Sequence, residues 1–185
     1  MIKLGVIGPG IIWDKAHYPV LRELENDVEI AAFSATSEKS KDKVQKNHPG
    51  IPFFFKLNEL LQLEIDAVVV LTPIQLNAPI TLAALKAGKN VFVEKPMATN
   101  IRDAERIIRL CEKTGKMVYV LEQVIYNPVY EKAKELIASG LIGDLISYDR
   151  LSHFMICREN DKTGGYGRTK WRQCPEFPLG VLFDG

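Results

Sequence analysis

Ile2-Lys3-Leu4-Gly5-Val6-Ile7-Gly8-Pro9-Gly10 opens the chain with a short apolar strand that runs directly into a glycine loop, and a helix signal follows over Asp14 to Glu25. Strand, glycine loop and helix in that order form the context a dinucleotide site requires. Glycine lets the backbone approach a pyrophosphate, and the first helical N–H groups, here at Ile11 and Ile12, stabilise its charge. Gly8 and Gly10 fill the first two glycine positions of G-x-G-x-x-G, but Trp13 stands at the third, where helix and strand usually need a small residue. Taken alone, the loop reads either as a dinucleotide site or as a tight turn.

Working outward, strand and helix signals alternate. Helix Asp14 to Glu25 places Tyr18, Leu21 and Leu24 on one face, and Val28 to Phe33 is the second strand. A polar helix over Glu38 to Asn47 ends before His48-Pro49-Gly50; Pro52 to Phe55 is the third strand, and Asn58 is placed to cap a short helix. Ile65 to Leu71 is a continuous apolar run, the pattern of a parallel strand covered on both faces. A helix from Pro79 to Ala87 stops at Gly88, and Asn90 to Val93 is the fifth strand. Ile101 to Lys113 is a helix aligning Ile101, Ala104, Ile108 and Cys111, and Met117 to Leu121 is the sixth strand. This alternation predicts an α/β fold, a doubly wound parallel sheet, over residues 1–122.

Beyond Glu122 the pattern changes, which sets a second domain at residues 123–185. Pro128 to Ser139 is a further helix, Asp144 to Cys157 a long strand-like segment, Arg158 to Pro178 a loop, and Val181 to Phe183 a final apolar run. One long and one short strand bury little by themselves. The expectation is that this second domain is incomplete: either the chain is truncated within it, or another chain supplies the missing partners.

Composition narrows the partners. The 185 residues are 46% hydrophobic and 25% charged with a net charge of +1, so no basic excess points to nucleic acid or to a membrane surface. No apolar run approaches the roughly 20 residues that cross a bilayer, and no leader precedes Ile2, so the expected location is cytoplasmic. Cys111, Cys157 and Cys174 are widely spaced and form no metal-binding pair, and all three are expected as reduced thiols.

Three stretches carry candidate chemistry. The end of the second strand, where an acid would bind the ribose hydroxyls of NAD, reads Ser34-Ala35-Thr36-Ser37-Glu38-Lys39. Ser34 and Thr36 can donate to a 2′-phosphate and Lys39 adds charge, which leans the cofactor towards NADP over NAD; the plainer reading leaves Ser37 as a helix cap and the lysines solvated. Thr72-Pro73 ends the fourth strand at the carboxyl edge where open sheets bind ligands, while Asn77 reads first as a helix cap. Glu94-Lys95-Pro96 follows the fifth strand and sets an acid and a lysine beside the nucleotide loop, a pairing suited to proton transfer.

Gly8-Pro9-Gly10, Thr72-Pro73, Ala84-Leu85-Lys86-Ala87-Gly88-Lys89-Asn90-Val91, Glu94-Lys95-Pro96-Met97-Ala98 and Tyr126-Asn127-Pro128 together resemble the Gfo/Idh/MocA family of oxidoreductases. The resemblance implies a Rossmann domain followed by an α+β domain with a mainly antiparallel sheet, through which members associate as homo-oligomers. It implies hydride transfer between NAD or NADP and a hydroxyl or carbonyl of a sugar- or polyol-like substrate. Lys95 would then contact the substrate hydroxyl, with Glu94, Thr72, Pro73 and Asn77 near the nicotinamide end. Trp171-Arg172 and Gly180 to Gly185 resemble the segment in which an aspartate, here Asp184, precedes a catalytic histidine by four residues, a position past Gly185. His17, His48 and His153 offer no substitute, so the chain alone is expected to be inactive. A nucleotide-binding module that senses without catalysis is the competing function, and a methyltransferase a weaker one.

Overall fold

The computed structural model describes residues 1–149 and 151. It divides into two compact units, Met1–Leu121 and a second that starts at Glu122.

The first unit is a single parallel sheet of six strands: β1 (Ile2–Ile7), β2 (Val28–Ser34), β3 (Phe53–Phe54), β4 (Ala67–Val70), β5 (Asn90–Glu94) and β6 (Val118–Leu121). Their order is β3-β2-β1-β4-β5-β6, all pairs parallel. This is the Rossmann arrangement, in which the order reverses between β1 and β4 and ligands sit outside the carboxyl ends of the strands. The helices are α1 (Tyr18–Glu23), α2 (Glu38–Asn47), α3 (Leu57–Leu61), α4 (Ile74–Lys86) and α5 (Ile101–Thr114), and a π-turn at Trp13–His17 precedes α1.

Alternation along β4 divides the core. Ala67 and Val69 join Leu4, Val6, Trp13, Phe33 and Val44 on one face, while Val68 and Val70 join Leu60, Leu82, Leu85 and Ile107 on the other. Both faces are covered by helices, so all four strand residues are buried.

Packing moved several expected boundaries. Helix α4 starts at Ile74, five residues before the expected Pro79, which lies inside it; burial of Ile74, Asn77 and Ala78 holds the added turn. Asn58 lies within α3, whose N-cap is Lys56 with no side-chain cap. Leu24 is exposed at the end of α1. On α5 the packed stripe centres on Ile107 with Leu110 and Cys111, and Ile101 and Ile108 face outward. Burial pushes the Cys111 thiol up, so this free cysteine stays protonated at neutral pH.

Trp13, the bulky residue at the third glycine position, is fully buried beneath the loop. Its ring meets Phe33 edge-on at 5.5 Å, and its indole N–H donates to His48 Nε2 at 3.2 Å. Tyr18 closes the group with its ring 4.4 Å from His48. The position that usually needs a small residue is thus filled by an aromatic that packs down into the core. Burial holds His48 below its ordinary pKa of 6.5; Asp14 opposes this and Lys43 adds to it. His48 is therefore neutral in the fold, as its role as acceptor requires. An unfolded chain takes up the proton first as pH falls, so stability declines from about pH 6.5 downward and is insensitive to this group above it. Urea midpoints measured between pH 7.5 and 5 should show that decline, and His48→Gln should flatten it.

In the second unit a 3₁₀ turn at Gln123–Tyr126 leads to α6 (Pro128–Ala138), with the Asn127 side chain accepting from Val129 N–H and Pro128 at the first position. Residues 144–149 and 151, the described part of the expected long strand, form no strand. The rest of that segment, His153, Cys157, the Arg158 to Pro178 loop, Trp171, Arg172, Cys174, the Val181 to Phe183 run and Asp184 lie outside the described residues.

Candidate active site

The candidate residues of the first unit gather at the carboxyl ends of β1, β2, β4 and β5. Gly8 follows β1 with φ +77°, a conformation that side chains other than glycine rarely adopt. A Cβ there would lie 2.8 Å from Thr72 Cγ2 and 3.0 Å from the Leu71 carbonyl. At Gly10 a Cβ would meet only the Gly8 carbonyl at 3.8 Å, so the loop is open on that side. Gly8 N–H donates to the Ser34 carbonyl at 2.8 Å, tying the loop to the end of β2. Ile11 and Ile12 are exposed at the start of the helical segment, where the first N–H groups have no partner within the helix. An open glycine cradle with unspent donors fits a dinucleotide pyrophosphate.

Asn77 joins the two halves of the site. Expected as a cap, it instead lies inside α4, fully buried. Its amide oxygen accepts from the Thr72 hydroxyl at 3.0 Å, and its amide NH₂ donates to the Glu94 and Pro96 carbonyls, both at 3.0 Å. One side chain thus clamps the Thr72-Pro73 turn to the backbone on both sides of Lys95. With its polar atoms so engaged, Asn77 holds the two turns together. Asn77→Leu leaves two carbonyls and a hydroxyl without this partner, and should cost about 3 kcal/mol in chemical denaturation.

Glu94 carries a second link. Its carboxylate lies 2.7 Å from His17 Nε2, both side chains being 20% exposed. The helical segment after the glycine loop is thereby bound to the Glu94-Lys95-Pro96 turn, whose Lys95-Pro96 peptide is cis. Lys95 itself is half-buried. At the end of β2, Ser34 is buried whereas Thr36 and Lys39 are exposed.

Sequence reading missed two contacts. His17 was passed over as a helix residue, although it stands one turn after Trp13 on the inward side. Lys43 donates to the Pro9 carbonyl at 3.0 Å and the Gly10 carbonyl at 3.3 Å, and pairs with Asp14 at 2.5 Å. No sequence signal separates it from its neighbour Lys41, which pairs with Glu38 and lies over the Phe55 ring.

The family model described as "Oxidoreductase family, NAD-binding Rossmann fold" (GFO_IDH_MocA) matches residues 2–122. A Saccharomyces cerevisiae protein of uncharacterized function is 34% identical over 187 residues, covering 100% of this chain and 52% of the relative. The scyllo-inositol 2-dehydrogenase (NADP(+)) IolW of Bacillus subtilis is 27% identical, covering 88% of this chain and 46% of the relative. Among solved structures, an oxidoreductase from Thermotoga maritima superposes with a TM-score of 0.83 at 33% identity, over 100% of this chain and 56% of that one. The WlbA dehydrogenase of Bordetella pertussis, in complex with NADH and UDP-GlcNAcA, gives 0.72 at 28% identity, over 77% and 41%. The chain belongs to the Gfo/Idh/MocA oxidoreductase family, and its first unit is the family's NAD-binding Rossmann fold. It spans about half the length of the curated relatives it matches.

Proposed function

We propose that this chain is the cofactor-binding part of an NAD(P)-dependent oxidoreductase that moves a hydride between the nicotinamide and a hydroxyl or carbonyl of a sugar- or polyol-like substrate. The observation that carries this reading is the Asn77 clamp, which links Thr72, beside Gly8, to the backbone flanking Lys95. A glycine loop and a proton-transfer lysine at one sheet edge are what such a reaction needs. The nicotinamide, when bound, accepts or delivers the hydride. Gly8, Gly10 and the N–H groups of Ile11 and Ile12 would hold the pyrophosphate; Thr72, Pro73 and Glu94 would border the nicotinamide end. Lys95 would hydrogen-bond the reacting oxygen and take up or return its proton.

The substrate class draws support from inositol dehydrogenases among the relatives. Residues 1–122 serve as the cofactor domain and 123–185 begin the substrate domain, with Asp184 in a catalytic role there; turnover needs the full length of the relatives, about half of which this chain spans. Exposed Val129, Ile137, Leu141 and Ile142 in the second unit support a homo-oligomer. No helix among the described residues is long and apolar enough to cross a membrane, which is compatible with the proposed cytoplasmic location.

Reduced nicotinamide formed from a panel of inositols and sugars tests the reaction. Polyol-dependent reduction is expected from a protein of the relatives' full length, and tight cofactor binding without turnover on any of them would favour the sensing module. For the cofactor we keep NADP ahead of NAD, on Thr36 and Lys39. Lys39→Ala should then weaken NADPH about tenfold and leave NADH unchanged, as expected for one charge-assisted bond to the phosphate; equal affinity of the unsubstituted chain for both removes the preference.

A further inference from the structure

We propose that Lys43 is a positioning residue that sets the glycine loop for dinucleotide phosphate and masks a carboxylate beside it. The proposal rests on the reading above that this loop binds a nicotinamide dinucleotide. A lysine ammonium has three donors and no acceptor. Here three acceptors surround it: the Pro9 carbonyl, the Gly10 carbonyl and the Asp14 carboxylate. It is therefore committed to the loop, in contrast to Lys39, which is exposed about one turn earlier on α2.

Two consequences follow for an anion. In a trans peptide the N–H points opposite to the carbonyl before it, so drawing the Gly10 carbonyl towards α2 turns the Ile11 N–H away from α2. The Pro9 carbonyl is fixed in the same manner, while Gly10 N–H closes on the Gly8 carbonyl at 2.7 Å. The second consequence is electrostatic. Asp14 lies in the first turn after the loop, where an unpaired carboxylate would repel a pyrophosphate, and Lys43 neutralises it. A lysine used in this way acts on the part of the cofactor that NAD and NADP share.

Calorimetric titration of NADPH and NADH into the unsubstituted chain and into Lys43→Met, which keeps most of the stem, tests this. We expect Lys43→Met to weaken both nucleotides by the same factor, about tenfold or more, and Lys43→Met/Asp14→Asn to recover part of that loss. Lys43→Arg, which keeps the charge, should stay within about threefold of the unsubstituted chain for both and serves as the test if the methionine variant fails to fold. A loss confined to NADPH would make Lys43 a 2′-phosphate contact and overturn the proposal, as would unchanged binding of both. If the unsubstituted chain binds neither nucleotide, the dinucleotide reading itself fails, and the two failures are thereby distinguished.

Discussion

Gly8→Val is expected to weaken dinucleotide binding by at least about a hundredfold and to destabilise the first unit. Two independent effects act at this position. The backbone φ of +77° is costly for any residue with a Cβ, most of all a β-branched one, at about 1–3 kcal/mol. The added atoms also collide: the Cβ alone would stand 2.8 Å from Thr72 Cγ2 and 3.0 Å from the Leu71 carbonyl. The methyl of Thr72 can turn aside, but the Leu71 carbonyl belongs to the backbone leaving β4 and cannot, so overpacking adds about 1–3 kcal/mol. Displacing the loop would take the N–H groups at Ile11 and Ile12 away from the proposed pyrophosphate position, and affinity should fall by at least about a hundredfold. Gly10→Ala is the control, since its Cβ would meet only the Gly8 carbonyl at 3.8 Å; it should fold as well as the unsubstituted chain while crowding the cradle.

The second large effect is expected at Lys95. In the turnover assay, Lys95→Ala should lower kcat/KM by about 10²–10⁴, the range lost when a positioned proton-transfer group is removed. Cofactor affinity should change little, because Glu94 and Pro96 stay clamped by Asn77 through their backbone carbonyls, which the substitution leaves in place. A sensing module would also keep its binding but would have no turnover to lose. Asn77→Leu separates the positioning of Lys95 from its chemistry: it should disturb both stability and turnover, whereas Lys95→Ala should disturb turnover alone.

The sheet was legible because its signals are local. Ile65 to Leu71 could be read as a doubly covered strand from its unbroken apolar run, and Gly8-Pro9-Gly10 marked the turn from strand to helix at the expected place. Helix limits were less legible where tertiary burial overrides local signals. Pro79 pointed to a helix start, yet burial of Ile74, Asn77 and Ala78 carried α4 a full turn further back. On α5, Ile101 and Ile108 fit a helical stripe as well as Ile107 does, and only the position of the sheet decides which faces it.

The site divided along the same line. Gly8, Thr72 and Lys95 follow strand ends and Glu94 closes β5, so their common location at one sheet edge could be derived from the order of elements alone. The groups that hold them together could not. Asn77 read as a cap because asparagine near a helix start usually is one, and its bonds to the Glu94 and Pro96 carbonyls join positions 17 and 19 residues away. His17 to Glu94 spans 77 residues and Lys43 to the Pro9 carbonyl spans 34, and neither pairing leaves a mark in either local sequence. Trp13 is the instructive departure: its size argued against the loop, but Phe33, Tyr18 and His48 provide a buried place for the ring beneath it.

Calorimetric titration of the 185-residue chain with NADPH and, in parallel, NADH tests the central claim most directly. The account predicts saturable binding with one dinucleotide per chain, tighter for NADPH, and loss of that binding in Gly8→Val. A chain that is folded by circular dichroism, yet gives no saturable heat with either dinucleotide, would contradict it.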